Sequence, residues 1–127
     1  MKPTIDWKPL KEAAKKARSN AYAPYSSFFV GCAIFASGRI FSGCNVENAS
    51  YPVGICAERA ALSAAVAAGC RDIDAIVIVG GEAIVPCGMC RQALCEFSDN
   101  APVLLVGPNS ETLTDLGTLF PMRFMLE

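Results

Sequence analysis

The hydrophobic pattern along the chain changes period several times. Over Asp6–Ser19 the apolar positions Leu10, Ala13, Ala14 and Ala17 share one helical face, with Asp6 placed to cap the helix. The stretch NAYAPYSS breaks that pattern. FFVGCAIF (residues 28–35), the turn ASG and RIFSGCNVEN then read as two strands joined in a hairpin. Residues 56–68, CAERAALSAAVAA, are dense in alanine and meet no glycine or proline until Gly69, which predicts a helix buried on most sides. IDAIVIVGG is the apolar, β-branched run of a covered strand. After Pro86, CGMCRQALCEF has helical length and composition. Val103–Val106 and Glu111–Thr114 flank a Gly-Pro-Asn-Ser turn and predict an antiparallel pair. Periodicity leaves the tail, residues 115–127, undecided. The alternation of strand and helix, with no repeat or linker, predicts one three-layer α/β domain over residues 1–127.

Composition adds constraints. Hydrophobic residues make up 53% of the 127 and charged residues 18%, which suggests apolar surface covered by other copies of the chain. The net charge is −1, and the basic residues form no cluster beyond Lys15, Lys16 and Arg18, so nucleic acid is excluded as a partner. The N-terminal segment lacks a signal-like apolar core and no later run is long enough to span a bilayer, so the expected location is the cytoplasm. There are seven cysteines and no histidine. In a reducing compartment they are better read as metal ligands and buried thiols than as disulfides.

VPCGMC sets Cys87 and Cys90 three positions apart, on one face of a helix's first turn. Zinc takes four ligands, and the pair supplies two. Cys56, at the start of the other buried helix, is the candidate third, leaving one position for water. Helix N-termini favour thiolate over thiol, which lowers the cost of gathering three negative charges. Glu58, two residues past Cys56, is the candidate proton acceptor beside that water. Arg59 is the preferred counter-charge to the sulfurs, with Arg91 the alternative. Cys32, Cys44, Cys70 and Cys95 read as packing thiols. Taken alone, Cys-x-x-C also suits a redox pair or a structural zinc knuckle.

CAE followed by PCGMCRQ resembles the zinc-dependent cytidine deaminases, with cysteine where the His-x-Glu form carries histidine. The likeness extends to YAPYSSFFVG (residues 22–31) and GCNVENASY (residues 43–51), the latter typical of the branch that acts on free nucleosides. The resemblance implies a three-layer α/β/α fold with a central mixed five-stranded sheet and one Zn²⁺ per chain. It implies hydrolytic deamination of cytidine and 2′-deoxycytidine by a small homotetramer of the three-cysteine type. By the same likeness, Phe28 lies near the nucleoside, Asn45 and Glu47 hold the sugar, the backbone of Ala57 binds the base oxygen, and the carbonyl of Val85 accepts from the amino group. Tyr51 and a tail phenylalanine match groups lent to neighbouring subunits. That phenylalanine is Phe124 if Pro121 keeps its register and Phe120 otherwise. A cytosine-containing antibiotic as substrate, or a closed zinc module with Glu58 as fourth ligand, are the competing readings.

Overall fold

The computed structural model describes residues 4–126. Helix α1 (Trp7–Arg18) starts where the sequence predicts: the Asp6 carboxylate accepts from the Lys8 N–H at 3.3 Å, and Lys15, Lys16 and Arg18 face the negative end of the helix dipole. Strands β1 (Gly31–Ala36) and β2 (Arg39–Cys44) form the expected hairpin. Its turn residues Ser37 and Gly38 both have positive φ, 53° and 76°, the combination that suits the right-handed twist of paired strands. Helix α2 (Ala57–Ala67), strand β3 (Ile73–Val79), helix α3 (Gly88–Cys95), and strands β4 (Pro102–Val106) and β5 (Glu111–Asp115) follow. The undecided tail begins with a short helix, α4 (Leu116–Leu119), capped by the Asp115 carboxylate accepting from the Thr118 N–H at 2.7 Å.

The strands form one mixed sheet in the order β2-β1-β3-β4-β5, with β3 and β4 parallel and the other neighbours antiparallel. The parallel pair needs a crossover, and α3 provides it. Alternate residues of the central strands serve two cores. Ala33, Val77 and Leu104 pack with Leu10 and Ala14 of α1, while Cys32, Ile34, Ile76, Ile78 and Val103 pack with Ala61 and Leu62 of α2 and Leu94 of α3. Helices on both faces explain why β3 reads as a continuous apolar run, and the result is a three-layer α/β/α arrangement.

Two predicted strand boundaries are corrected. The strand predicted from Phe28 starts at Gly31, because the polar groups of residues 28–30 are taken by side chains. The Phe28 carbonyl accepts from Asn45 Nδ2 at 2.6 Å, the Phe29 carbonyl from Arg18 Nε at 2.8 Å, and the Val30 N–H donates to Asn45 Oδ1 at 2.9 Å. The second strand ends at Cys44, so Asn45 and Glu47 lie beyond it, flanking Val46, which bridges both Tyr22 and Ile55.

Candidate active site

Cys56 is the N-cap of α2 and Cys87 the N-cap of α3, and neither side chain makes a capping bond to the backbone of its helix's first turn. An N-cap serine or aspartate would fold back onto the first turn; these thiols point outward to each other. With Cys90 from the first turn of α3, the three Sγ atoms lie within 4.8 Å of one another, and Cys56 Sγ and Cys87 Sγ stand 3.8 Å apart. Sulfurs bound tetrahedrally to one zinc at about 2.3 Å are about 3.8 Å apart, so the donor set fits the metal. Its charge balance points the same way. The Cys56 thiol is pulled down to about 5, foremost by its hydrogen bond with Cys90 and further by Arg59 and Cys87. Cys90 is pushed far up, by that same bond and by burial. A divalent cation bound by the three sulfurs would let them ionise together.

Glu58 is 5% exposed, the one charged residue buried in the interior among those described. Burial first, and the negative Cys56 second, push its carboxyl above the usual range. Arg59 Nη2 lies 3.8 Å from Cys56 Sγ. Arg91 turns away from the sulfurs, donating from Nε to the Pro86 carbonyl at 2.8 Å and from Nη1 to the Leu119 carbonyl at 3.2 Å. Of the two candidate counter-charges, the geometry brings Arg59 to the thiols and gives Arg91 the work of bracing the turn before α3, a role that sequence spacing did not signal.

With Cys90 buried behind them, Cys56, Cys87 and Glu58 stand at a cavity of about 550 Å³ whose walls include Phe28, Asn45, Glu47, Tyr51, Ala57 and Val85, together with the apolar Val30, Ile78 and Ile84. The sequence does not single out these apolar residues, because an isoleucine that packs a core and one that lines a cavity look alike in sequence. Asn45 and Glu47 reach the same rim although they lie past the strand. The Glu47 carboxylate accepts from the N–H groups of Tyr25 at 3.0 Å and Ser26 at 3.1 Å, and from the Ser26 hydroxyl. Phe124 is elsewhere. It is 66% exposed and lies beyond α3, held by Gln92 Nε2 donating to its carbonyl at 3.0 Å. The hollow it lines is larger, about 650 Å³, but holds the single packing thiol Cys95 and, among the described residues, no buried carboxylate; Arg123 there caps the end of α3 through the carbonyls of Cys95 and Ser98. Phe120 packs against the core.

A family model described as the cytidine and deoxycytidylate deaminase zinc-binding region matches residues 6–106. Cytidine deaminase of Sporosarcina psychrophila is 40% identical over 128 residues, covering 97% of this chain and 94% of that protein. The Mycobacterium tuberculosis H37Rv cytidine deaminase is 38% identical over 135 residues, covering 98% and 94%. The solved structure of the Burkholderia pseudomallei cytidine deaminase superposes with a TM-score of 0.88 at 46% identity, covering 94% of this chain and all of that one.

Proposed function

The chain belongs to the zinc-binding cytidine and deoxycytidylate deaminase family, and on that premise we propose that it hydrolyses the C4–N bond of cytidine and 2′-deoxycytidine, releasing ammonia and the uridines. One observation carries the reading: three thiols at zinc spacing, of which Cys56 and Cys87 line a cavity and Cys90 is buried behind them, stand beside a buried carboxylate that lines the same cavity two residues past the first of them. The metal, when bound, supplies Lewis-acid activation of a water at neutral pH.

The chain's own groups do the rest. Glu58 takes one water proton and delivers it to ring N3 as the C4–O bond forms, then carries the second, from the new C4 hydroxyl, to the amino group, so the C4–N bond breaks, the C4 carbonyl forms and ammonia leaves. The Val85 carbonyl accepts from the amino group, and the Ala57 backbone N–H donates to the base oxygen. Phe28 packs on the base from the cavity wall. Asn45 and Glu47 hold the sugar. Arg59 holds the charge on the Cys56 sulfur. Among the described residues no Lys or Arg lines the cavity, which favours an uncharged nucleoside over its phosphate ester.

The working form is a homotetramer of single-domain chains in the cytoplasm, where free thiol ligands persist. Tyr51 at the cavity rim is 77% exposed, and Phe124, remote from its own cavity, is 66% exposed; both are free to complete a neighbour's site. Among the described residues no helix is long and apolar enough to cross a membrane.

Ammonia release from cytidine and 2′-deoxycytidine, measured on protein with known zinc content, tests the reaction. Zinc-loaded protein that releases none from either would end this reading, and release only from a cytosine-bearing antibiotic would redirect it. Shared sites are tested by mixing inactive Glu58→Gln and Phe124→Ala chains. Activity returns on subunit exchange if neighbours complete the site, and stays absent if they do not.

A further inference from the structure

The polar side chains at one end of the cavity are already engaged with their own chain. Glu47 Oε1 accepts two backbone N–H bonds, from Tyr25 and Ser26, and Oε2 accepts from the Ser26 hydroxyl. That same hydroxyl oxygen accepts from the Phe28 N–H at 3.0 Å. A carboxylate has about four acceptor sites, and three here are occupied. The fourth is what Glu47 has left for a ligand. From the other side Asn45 grips the carbonyl of Phe28 and the N–H of Val30.

Between these attachments Ser27 has φ 58°, a left-handed conformation that serine adopts rarely. A loop held in that shape needs its ends fastened. Ser26 is the residue whose side chain touches both the carboxylate and the backbone of the cavity aromatic. Its hydroxyl is also the foremost cause, ahead of the two backbone N–H groups, of a Glu47 carboxyl held below the usual range, in keeping with a bond made to the ionised form.

We propose that Ser26 is a positioning residue, whose hydroxyl couples the Glu47 carboxylate to Phe28 so that the group facing the sugar and the group facing the base keep one relative geometry. The kinetic part rests on the reading of Glu47 and Phe28 as nucleoside contacts; the coupling itself does not. Ser26→Ala removes the shared atom, freeing Oε2 to turn and leaving the Phe28 N–H without its partner. Ser26→Thr keeps the hydroxyl. Ser27→Ala changes the neighbouring serine, whose side chain takes no part in the coupling.

The experiment measures amide hydrogen exchange and cytidine kinetics on zinc-loaded protein. Ser26→Ala should speed exchange at Tyr25, residue 26 and Phe28, and raise KM about tenfold with a smaller change in kcat, the scale of a hydrogen bond to a charged group. Ser26→Thr should restore both, and Ser27→Ala should move neither. In a Glu47→Ala background, Ser26→Ala should add little further to KM, because the two residues act as one unit. Unchanged exchange in Ser26→Ala overturns the coupling. Faster exchange with wild-type KM, or full additivity with Glu47→Ala, overturns the positioning role. If wild-type protein does not deaminate cytidine at all, the functional reading falls, and exchange still decides the coupling.

Discussion

On one face of the sheet, α1 lies so close to β1 that a side chain at Gly31 would run into the Ala14 carbonyl and come within 2.6 Å of Arg18 N. On the opposite face, α2 lies so close to β2 that a Cβ at Gly43 would come within 2.5 Å of Ala61 N and 2.9 Å of the Ala57 carbonyl. Both are glycines that admit a helix backbone onto a strand. They differ in which part of the helix they receive. Gly31 meets the last turns of α1, and the surrounding core is apolar throughout, with Leu10, Ala14, Val77 and Val106. Gly43 meets the first turn of α2, the turn that carries Glu58 and follows Cys56. Close packing on the first face contributes stability alone, whereas on the second it also sets where unpaired N–H groups, thiols and a carboxylate converge.

The sharpest break between the faces is metal loss. Cys87→Ala should leave zinc near zero and abolish turnover, while Cys32→Ala, in the core beneath α2, should retain full zinc by elemental analysis. A zinc-replete Cys87→Ala protein would remove that thiol from the ligand set. Next comes Glu58→Gln, which should keep zinc and Tm yet lower kcat by roughly 10²–10⁴-fold, the range of lost general acid–base catalysis. If it loses metal instead, Glu58 is a ligand.

The glycines separate the faces directly. Each Gly→Ala change overpacks a helix–strand contact and should cost about 1–3 kcal/mol in denaturant unfolding. Gly43→Ala should in addition lower kcat by about 10–10²-fold by displacing the α2 first turn. Gly31→Ala, like Leu10→Ala at about 2–5 kcal/mol, should destabilise the fold without changing kcat of the folded protein. Equal kinetic damage from Gly31→Ala would erase the distinction drawn here. The smallest effect is expected at Asp115, whose carboxyl is held below its usual range by the Thr118 N–H it caps. A folded-state value below the unfolded one stabilises above the ordinary aspartate range, and that contribution fades as pH falls through the folded value. Asp115→Ala should therefore lower Tm slightly at neutral pH, converge with wild type in acid, and leave zinc content and kcat unchanged.

The extent of what the chain alone made legible follows from how local each signal is. Helix caps, strand alternation and the spacing of Cys87 and Cys90 are properties of a few neighbouring residues, so α1, α2, α3 and the two hairpins could be read within a residue or two, with two exceptions. One is the start of β1, where side chains take the backbone groups; the other is the end of β2, predicted through Asn48 but ending at Cys44 as the Val46 backbone turns to pair with Ile55. Asn45 captures the polar groups of Phe28 and Val30, and no window of sequence shows that one side chain will displace a strand's first three residues. That Cys56 joins a pair more than thirty positions away was legible only as a matching helix start.

By itself, the sequence determined the type of chemistry: three thiols without histidine, a carboxylate two residues past one of them, and a GCNVENASY stretch specific enough to point to a family. Only the tertiary structure decided the choices that depend on which helix ends meet. It set Cys56 3.8 Å from Cys87, turned Arg59 toward the sulfurs and Arg91 toward the Pro86 and Leu119 carbonyls, and placed Phe124 away from the cavity of its own chain. Those outcomes rest on the sheet order and on how closely α2 can approach the strand at Gly43, and both are settled by packing between residues far apart in sequence.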